Sequence, residues 1–227
     1  MLVHLILPNA EEFPSALAEL YGRVADDVLR AALPYSVIAR NDGEQAIALL
    51  GIRFDMVGMK GTKYSVVHYA DTLRYPKQAV LKPGAMRFVC AEPAYTELVL
   101  RGHGGVTPRA RMNLDNLRRA LRIQAAVDCV AFDGGRFEGV DSRGAFELLE
   151  RERLSEMAFV DQVLGRKSHA SANLETLLAQ ALEAEEIKGL ARRLYEGFEA
   201  GGEAEVAIRA RNHRCRIKLV RMGALQI

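Results

Sequence analysis

Residues 35–54, YSVIARNDGEQAIALLGIRF, decide the fold that this sequence predicts. Two apolar runs, at 35–40 and 45–54, have the composition of largely buried β-strands. Asn41, Asp42 and Gly43 lie between the runs, and these residue types are typical of the tight turns that join antiparallel strands. The stretch therefore predicts two strands joined in a β-hairpin.

The residues before this stretch add a strand and a helix. LVHLILP, residues 2–8, is a short apolar run that ends at a proline. Residues 14–33 begin with a proline, which is common at the first helical position, and their apolar side chains recur at helical spacing. A strand, a helix and two paired strands within about 55 residues favour a ferredoxin-like (RRM-like) α+β unit. We expect this domain to occupy residues 1–101, with further strands at TKYSVVHY (62–69), MRFVCA (86–91) and TELVLR (96–101).

The rest of the chain, residues 102–227, predicts a second, basic domain. Leu114, Leu117 and Leu121 have helical spacing and indicate an arginine-rich helix over 109–127. The glycine-rich segment AFDGGRFEGVDSRG, residues 131–144, predicts a hairpin or loop.

The second half of that domain predicts helices followed by strands. Residues 144–200 are largely helical in pattern and are expected to form a helical insertion, whose glutamates offset part of the basic charge. EAGGEA interrupts the helical pattern, and residues 204–222 predict two basic strands in a C-terminal β-hairpin.

Composition excludes several classes of protein. The 227 residues include 31 Lys and Arg against 29 Asp and Glu, so the net charge is only +2. No apolar run approaches the roughly 20 residues of a membrane span, and the first residues lack the basic segment of a signal peptide. Three scattered cysteines fit a reduced, cytoplasmic protein and not a zinc finger. The five histidines form no H-E-x-x-H motif, so we predict neither a metal nor a cofactor.

Basic side chains are concentrated in two places. On the predicted helix, Arg111, Arg118 and Arg122 are spaced by seven and then four residues, which places them along one edge. Near the end of the chain, Arg214, Arg216 and Lys218 alternate with Cys215, Ile217 and Leu219, as in a strand with one cationic face.

Two arginine-rich elements favour a polyanionic partner. A solvated face alone would account for one basic strand. A second element rich in arginine, whose guanidinium binds phosphate in a bidentate manner, favours RNA binding in a local groove. The expected RNA-binding residues are Arg109, Arg111, Arg118, Arg119, Arg122, His213, Arg214, Arg216 and Lys218.

Three motifs, in this order, resemble the CRISPR-associated endoribonucleases that cut repeat RNA, particularly the type I-F and type IV forms. EEFPSALAELYGR (11–23) is similar to the first helix of the type I-F enzymes. NLDNLRRALR (113–122) resembles the helix that such enzymes place in the major groove of a repeat hairpin, and VAIRARNHRCRIKLVRMGALQ (206–226) resembles their last strand pair.

The resemblance implies a specific activity. Enzymes of this kind bind a repeat stem-loop in the CRISPR precursor RNA and cleave it without metal. The RNA 2′-hydroxyl attacks the adjacent phosphate and leaves a 2′,3′-cyclic end. They commonly retain the product within an effector complex, so the implied partners are CRISPR repeat RNA and the other subunits of a type IV-like complex.

The sequence departs from these relatives at the catalytic positions. The position of the type I-F catalytic histidine corresponds to about Ala25, and residues 209–212 replace the serines of the penultimate strand. The resemblance therefore leaves Arg23, Arg40, Arg209 and Arg211 around the scissile phosphate, with Tyr35 or a water to transfer the proton. Because arginine stays protonated, these side chains would align the attacking hydroxyl and neutralise the developing charge.

Two other functions stay open. The absence of the catalytic histidine is compatible with an RNA-binding subunit that does not cleave, and an enzyme that binds a small anionic metabolite would also use arginines. His4 and His68 lie in apolar strands, where we expect structural histidines, although His4 has the option of pointing into the site. His213 is either a titratable base or a phosphate contact.

Overall fold

The computed structural model describes residues 3–22, 25–71, 81–101, 104–165, 171–213 and 220–222. In these ranges the protein is a mixed α+β structure with two sheets and seven α-helices. The chain divides into two compact units: unit 1 is Met1–Arg143 with Met222–Ile227, and unit 2 is Gly144–Arg221. The predicted boundary lay at 101/102 instead, before the segment that contributes a long strand to unit 1.

Unit 1 contains most of the strands. Its first sheet has the antiparallel order β1-β2-β5, and four antiparallel strands of the second lie in the order β4-β3-β6-β7. A 3-10 turn, Leu33–Tyr35, precedes β2. The elements in chain order are β1 (Val3–Ile6), α1 (Phe13–Tyr21), α2 (Asp27–Arg30), β2 (Ser36–Asn41), β3 (Ile47–Val57), β4 (Lys63–Asp71), β5 (Met86–Cys90), α3 (Pro93–Arg101), α4 (Pro108–Leu117), β6 (Arg122–Phe132) and β7 (Arg136–Gly139).

One hydrophobic core joins both sheets of unit 1. Ile6 of β1, Ile38 of β2 and Phe54 of β3 are almost completely buried in it. Helices α1, α3 and α4 each bury apolar side chains in the same core, such as Leu17, Leu98 and Leu114 respectively. Burial of this apolar surface is the main source of stability for the unit.

The predicted strands at 35–40 and 45–54 exist, but the prediction that they pair in a hairpin is wrong. β2 pairs with β1 and β5, whereas β3 pairs with β4 and β6. The buried side chain of Asn41 donates to the carbonyls of Gln45 and Leu81, and its own oxygen accepts from Gly43 N. This network turns the chain out of one sheet and into the other. The two sheets do not confirm the ferredoxin-like arrangement, which stays a prediction.

Two other secondary-structure predictions also differ from the structure. TELVLR lies in helix α3 and not in a strand, because Pro93 begins a helix whose residues Tyr95, Leu98 and Val99 share one buried face. The helix predicted over 14–33 divides into α1 and α2, since Gly22 ends α1 in the left-handed conformation that glycine adopts readily.

The arginine-rich helix predicted over 109–127 is shorter than expected. Thr107 caps α4 by accepting a hydrogen bond from Ala110 N, and the helix ends at Leu117. A turn follows, and Arg122 begins β6, which pairs with β3 along its whole length. Arg122 therefore does not share a helical edge with Arg111. The predicted hairpin within 131–144 is confirmed, because β6 and β7 pair on either side of residues 133–135.

Unit 2 contains the predicted helical insertion. Its elements are α5 (Ala145–Leu164), α6 (Ser171–Ala181), α7 (Lys188–Arg211) and the short strand β8 (Val220–Arg221). Phe159, Leu178 and Leu194, one from each helix, contribute to its core. None of the helices in the described ranges is long and apolar enough to cross a membrane.

The strand predicted to begin at 204 is wrong, because α7 continues to Arg211. Gly201 and Gly202 have non-helical backbone angles and form a kink within α7, at the point where the sequence predicted a break. Beyond the kink, Val206 and Ala210 are both fully buried whereas Ile208 is 52% exposed. That spacing of four is helical, so Val206 and Ile208 do not share a strand face. The second predicted strand, at 214–219, lies outside the described residues.

Candidate nucleic-acid interface and reaction centre

Four arginines of unit 1 are exposed and have no ion pair with any part of the chain that the structure describes. Two of them, Arg109 and Arg111, lie on α4, whereas Arg119 lies in the turn that follows it and Arg122 at the start of β6. The fifth predicted stem contact, Arg118, donates to Asp115 at 2.9 Å. Unpaired guanidinium groups remain available for phosphate oxygens.

The position of Arg109 and Arg111 within α4 strengthens this argument. They are the second and fourth residues of the helix, and its first turn contains no acidic residue. Cations in the first turn oppose the helix dipole, which costs about 0.3–1 kcal/mol each at exposed positions. A bound phosphate group at this first turn would offset the unfavourable interaction of these cations with the helix dipole.

A second group of charged residues lies where β1, β2 and the start of α1 meet; we call it the His4–Arg40 cluster, comprising His4, Glu12, Arg40 and Asp42. His4 and Arg40 are directly opposite each other in the β1–β2 pair, so their side chains lie on one face. Arg40 donates from Nε to Asp42 at 2.6 Å and from Nη1 to Glu12 at 3.2 Å. Glu12 precedes α1 without capping it, which leaves its carboxylate for Arg40.

The cluster fixes the tautomer of His4. Nη2 of Arg40 lies 2.9 Å from Nδ1 of His4, and arginine has only donors, so Nδ1 must be the acceptor. The proton of the neutral ring is therefore on Nε2, which lies 3.8 Å from Oε1 of Glu12. In this tautomer Nε2–H of His4 is a hydrogen-bond donor and not a base that abstracts a proton. A phosphate oxygen would accept from it in place of the neighbouring Glu12 carboxylate.

The charges in the cluster stabilise one another. The hydrogen bond to Asp42 raises the pKa of the Arg40 guanidinium, and the same bond lowers the pKa of the Asp42 carboxyl. Two carboxylates around one guanidinium leave Arg40 without excess positive charge. Arg40 would have to exchange one of them for a phosphate in order to bind RNA.

Three other predicted catalytic residues belong to other elements of the chain. Tyr35 precedes β2 and packs against the core of unit 1. Five residues of extended chain separate it from Arg40, which corresponds to about 16 Å. Arg209 and Arg211 belong to α7 in unit 2, where Arg209 donates to Glu205 at 2.7 Å and to the Arg193 carbonyl at 3.0 Å. The bond to the Arg193 carbonyl joins the two halves of the kinked helix, because Gly201 and Gly202 lie between these residues.

Of the RNA-binding residues predicted near the end of the chain, the structure describes His213 alone. The His213 side chain is largely buried, and its Nε2 lies 2.9 Å from Oε2 of Glu156 on α5. This places His213 in the packing of unit 2. Arg23, Arg214, Arg216 and Lys218 lie outside the described residues.

One buried group of potential metal ligands was not evident from the sequence. Asp128, Cys129 and Asp141 bring ligand atoms within 4.8 Å of one another. The register of β3 and β6 skips Asp128, and this β-bulge redirects its side chain. Oδ1 of Asp128 makes no hydrogen bond but lies 3.5 Å from Nη1 of Arg53, and Oδ2 accepts from Ser142 N. Because a guanidinium already neutralises Asp128, we assign these contacts to the packing of the β6–β7 hairpin.

The sequence contained one usable signal for the His4–Arg40 cluster. Pairing residues 3–6 with 38–41 as antiparallel strands would have brought His4 opposite Arg40. The contributions of Glu12 and Asp42 depend on side-chain directions that no spacing in the sequence reveals. Comparison of the chain with models of known protein families, with curated proteins and with solved structures found no match.

Proposed function

We propose that this protein binds a hairpin in CRISPR repeat RNA and cleaves that RNA without metal, then retains the product within a cytoplasmic, type IV-like effector complex. The ferredoxin-like relationship of unit 1 is part of the same proposal. The observation that carries RNA binding is the group of exposed, unpaired arginines Arg109, Arg111, Arg119 and Arg122. The CRISPR assignment rests on the resemblance of the three sequence motifs.

The His4–Arg40 cluster supports the proposed cleavage step. In that step the 2′-oxygen bonds to phosphorus, the bond from phosphorus to the 5′-oxygen breaks, and the 2′-proton leaves through water. The 5′-oxygen takes a proton in return. Arg40 and Nε2–H of His4 would donate to the phosphate oxygens as negative charge accumulates there. The two carboxylates of the cluster, Glu12 and Asp42, are both engaged by Arg40, which weakens them as general bases. We therefore expect slow turnover, which is sufficient for an enzyme that acts once and keeps its product.

The test is cleavage of an end-labelled repeat-hairpin RNA in the presence of EDTA. Wild-type protein should make one cut, and a 2′-deoxy nucleotide at the cut site should abolish it. Arg40→Ala and His4→Ala should slow cleavage at least about tenfold, as expected when a donor to the transition state is lost. His68→Gln changes a histidine distant in sequence from the cluster and should cut at the wild-type rate. Cleavage that requires a divalent cation would contradict the proposal.

A second function, RNA binding without cleavage, is favoured by the pairing of Arg40 with Asp42 and Glu12. A guanidinium held by two carboxylates has less capacity to stabilise a phosphorane. In the same assay this function predicts tight binding of the hairpin and intact RNA at every time point.

A further inference from the structure

A groove in unit 1 lies between α1 and the segment that contains α2; we call it the α1–α2 groove. Its volume is about 450 Å³, which is within the range of binding pockets in proteins. α1 contributes Phe13, Leu17 and Ala18 to the lining, and Ala25 and Leu33 come from the residues on either side of α2. The groove therefore favours an apolar occupant.

Hydrogen bonds hold the walls of the groove in place. Tyr21, at the end of α1, donates to the Asp26 carboxylate at 3.4 Å. The same carboxylate accepts from Leu29 N at 2.9 Å and so caps the start of α2. At the other end of α1, Phe13 N donates to the Ala10 carbonyl at 3.1 Å. A groove that is built into the fold in this way needs little reorganisation to accept a ligand.

The groove has few groups that would orient a small molecule. Among the described residues that line it, only Arg30 has a polar side chain. Its Nε donates to the Ala25 carbonyl at 3.0 Å and its Nη1 to Asp27 at 3.2 Å. Small-molecule sites place several polar groups to fix one orientation, whereas here the one guanidinium is already engaged. An apolar side chain of a partner protein needs no such groups, because the rest of the partner fixes its orientation.

Accessible apolar side chains border the groove. Pro14 and Ala18, both in its lining, are exposed on α1. Leu7, next to the lining residue Pro8 in the chain, is 44% exposed, and Val28 of α2 is 36% exposed. Apolar groups that remain accessible beside a concave surface are typical of a protein-binding site.

The charges in this part of the chain are mainly negative. Between residues 9 and 31 the acids are Glu11, Glu12, Glu19, Asp26 and Asp27, and the bases are Arg23 and Arg30. Glu12 is paired with Arg40 and Asp27 with Arg30. Glu11 and Glu19 are exposed and have no ion pair within the ranges that the structure describes. Such a surface repels phosphate groups and attracts cationic side chains.

We propose that the α1–α2 groove is the docking site for a segment of a partner protein. That segment would insert a large apolar side chain into the groove and present lysines or arginines to Glu11 and Glu19. The free acids disfavour RNA at this surface and distinguish it from the exposed arginines of α4. The partner would be another subunit of the effector complex, a point that rests on the proposed function, but the docking itself does not require RNA.

The experiment uses tryptophan fluorescence, because the protein contains no tryptophan and the signal comes from the probe alone. The probe is a short synthetic peptide with one central tryptophan between lysines. Binding should shift its emission to shorter wavelength and should be at least about threefold tighter than for a version with serines in place of the lysines, since exposed ion pairs contribute modestly. A version with glutamates should bind more weakly still. A lysine peptide without the tryptophan should not displace the probe, because it lacks the apolar anchor.

Variants locate the binding. Ala18→Lys should weaken the lysine peptide at least about tenfold, because it places an ammonium group beside the apolar lining and the basic peptide. Ala179→Lys makes the same change at an exposed position of α6 and should bind as wild type. Glu11→Gln with Glu19→Gln should reduce the lysine peptide to the affinity of the serine peptide. All of these variants should bind hairpin RNA as the wild-type protein does.

The other outcomes are distinguishable. If the lysine peptide does not bind wild type, or binds Ala18→Lys equally well, the groove is not the docking site. Equal binding of the lysine, serine and glutamate peptides would assign the groove to an apolar ligand without basic groups. A dimer in sedimentation experiments that Ala18→Lys abolishes would assign it to a second copy of the chain. Loss of RNA binding in Ala18→Lys would assign it to RNA, whereas absence of RNA binding by wild type would refute only the proposed function.

Discussion

His68 links the stability of unit 1 to pH. Its Nε2 donates to the Ala91 carbonyl at 2.9 Å, and its ring packs edge-on against Phe54. Burial lowers the pKa of His68 below its ordinary value of 6.5, because a buried imidazolium is poorly solvated.

The direction of the pH effect follows from that shift. A group whose pKa is lower in the folded state contributes its stabilisation above the unfolded pKa and loses it as the pH falls below that value. We expect the free energy of unfolding, measured in urea, to fall between about pH 7.5 and pH 5.5 more steeply for wild type than for His68→Gln. Equal slopes in the two proteins would show that His68 does not contribute.

Arg209 is predicted to stabilise unit 2. Its bond to the Arg193 carbonyl crosses the kink of α7, whereas its bond to Glu205 lies within the second half of the helix. Its side chain also lies so close to Gly197 that a methyl group there would be 2.8 Å from Cδ of Arg209. Arg209→Ala should lower the free energy of unfolding by about 1 kcal/mol, a partly exposed charged pair being worth less than a buried one. Arg211 is exposed and lies two residues further along the same helix. Arg211→Ala is therefore the matched control and should have almost no effect.

This pair of variants also bears on catalysis. Arg209 and Arg211 were both predicted to surround the phosphate, and that prediction requires both to affect cleavage. A loss of stability for Arg209→Ala with unchanged cleavage by the folded protein would identify a purely structural arginine. Arginine content alone could not separate the two residues, because the sequence does not show that Glu205 lies one helical turn from Arg209.

At the scale of elements, glycine-to-alanine substitutions test the backbone contacts of the β6–β7 hairpin. Gly139 has φ +119°, and a Cβ there would lie 2.4 Å from the Asp128 carbonyl oxygen and 2.7 Å from the Cys129 Cα. Backbone atoms cannot move aside easily, so Gly139→Ala should cost more than about 2 kcal/mol. Gly134 lies in the turn of the same hairpin with open space around it, and Gly134→Ala should stay within about 0.5 kcal/mol of wild type. Urea unfolding of the two variants provides the comparison, and similar losses would contradict the assigned backbone contact.

Elements were predicted well where clear boundary residues flank them, and poorly where the sequence pattern fits more than one structure. The apolar runs of β1, β2 and β3 identified strands because each is bounded by polar or turn-forming residues. Over residues 206–211, in contrast, alternation and helical spacing both fit, and only burial of Val206 and Ala210 with exposure of Ile208 distinguishes them. The sequence did not reveal which strands pair, since the pairing depends on the hydrogen bond from the buried side chain of Asn41 to the distant Leu81 carbonyl.

At the scale of the whole molecule, the predicted site residues belong to both units. Arg40 and the arginines of α4 belong to unit 1, and Arg209 and Arg211 to unit 2. The sequence assigned α4 and the last basic segment to one domain because both are rich in arginine. Composition does not determine which elements share a core, and the pairing of β6 with β3 brings α4 into unit 1.

The salt dependence of RNA binding tests whether the arginines of α4 contact phosphates. Each phosphate that a cation neutralises releases counterions, so the slope of log K against log salt measures the number of such contacts. The double variant Arg109→Ala with Arg111→Ala should reduce the magnitude of that slope by about 2, since each lost phosphate contact reduces it by roughly 1. Arg192→Ala removes an exposed arginine from α7 and should leave the slope unchanged. Equal slopes for wild type and the double variant would show that the α4 arginines do not contact phosphates. In that case their exposed, unpaired side chains would be an ordinary solvated helix face, and the main support for RNA binding by unit 1 would be lost.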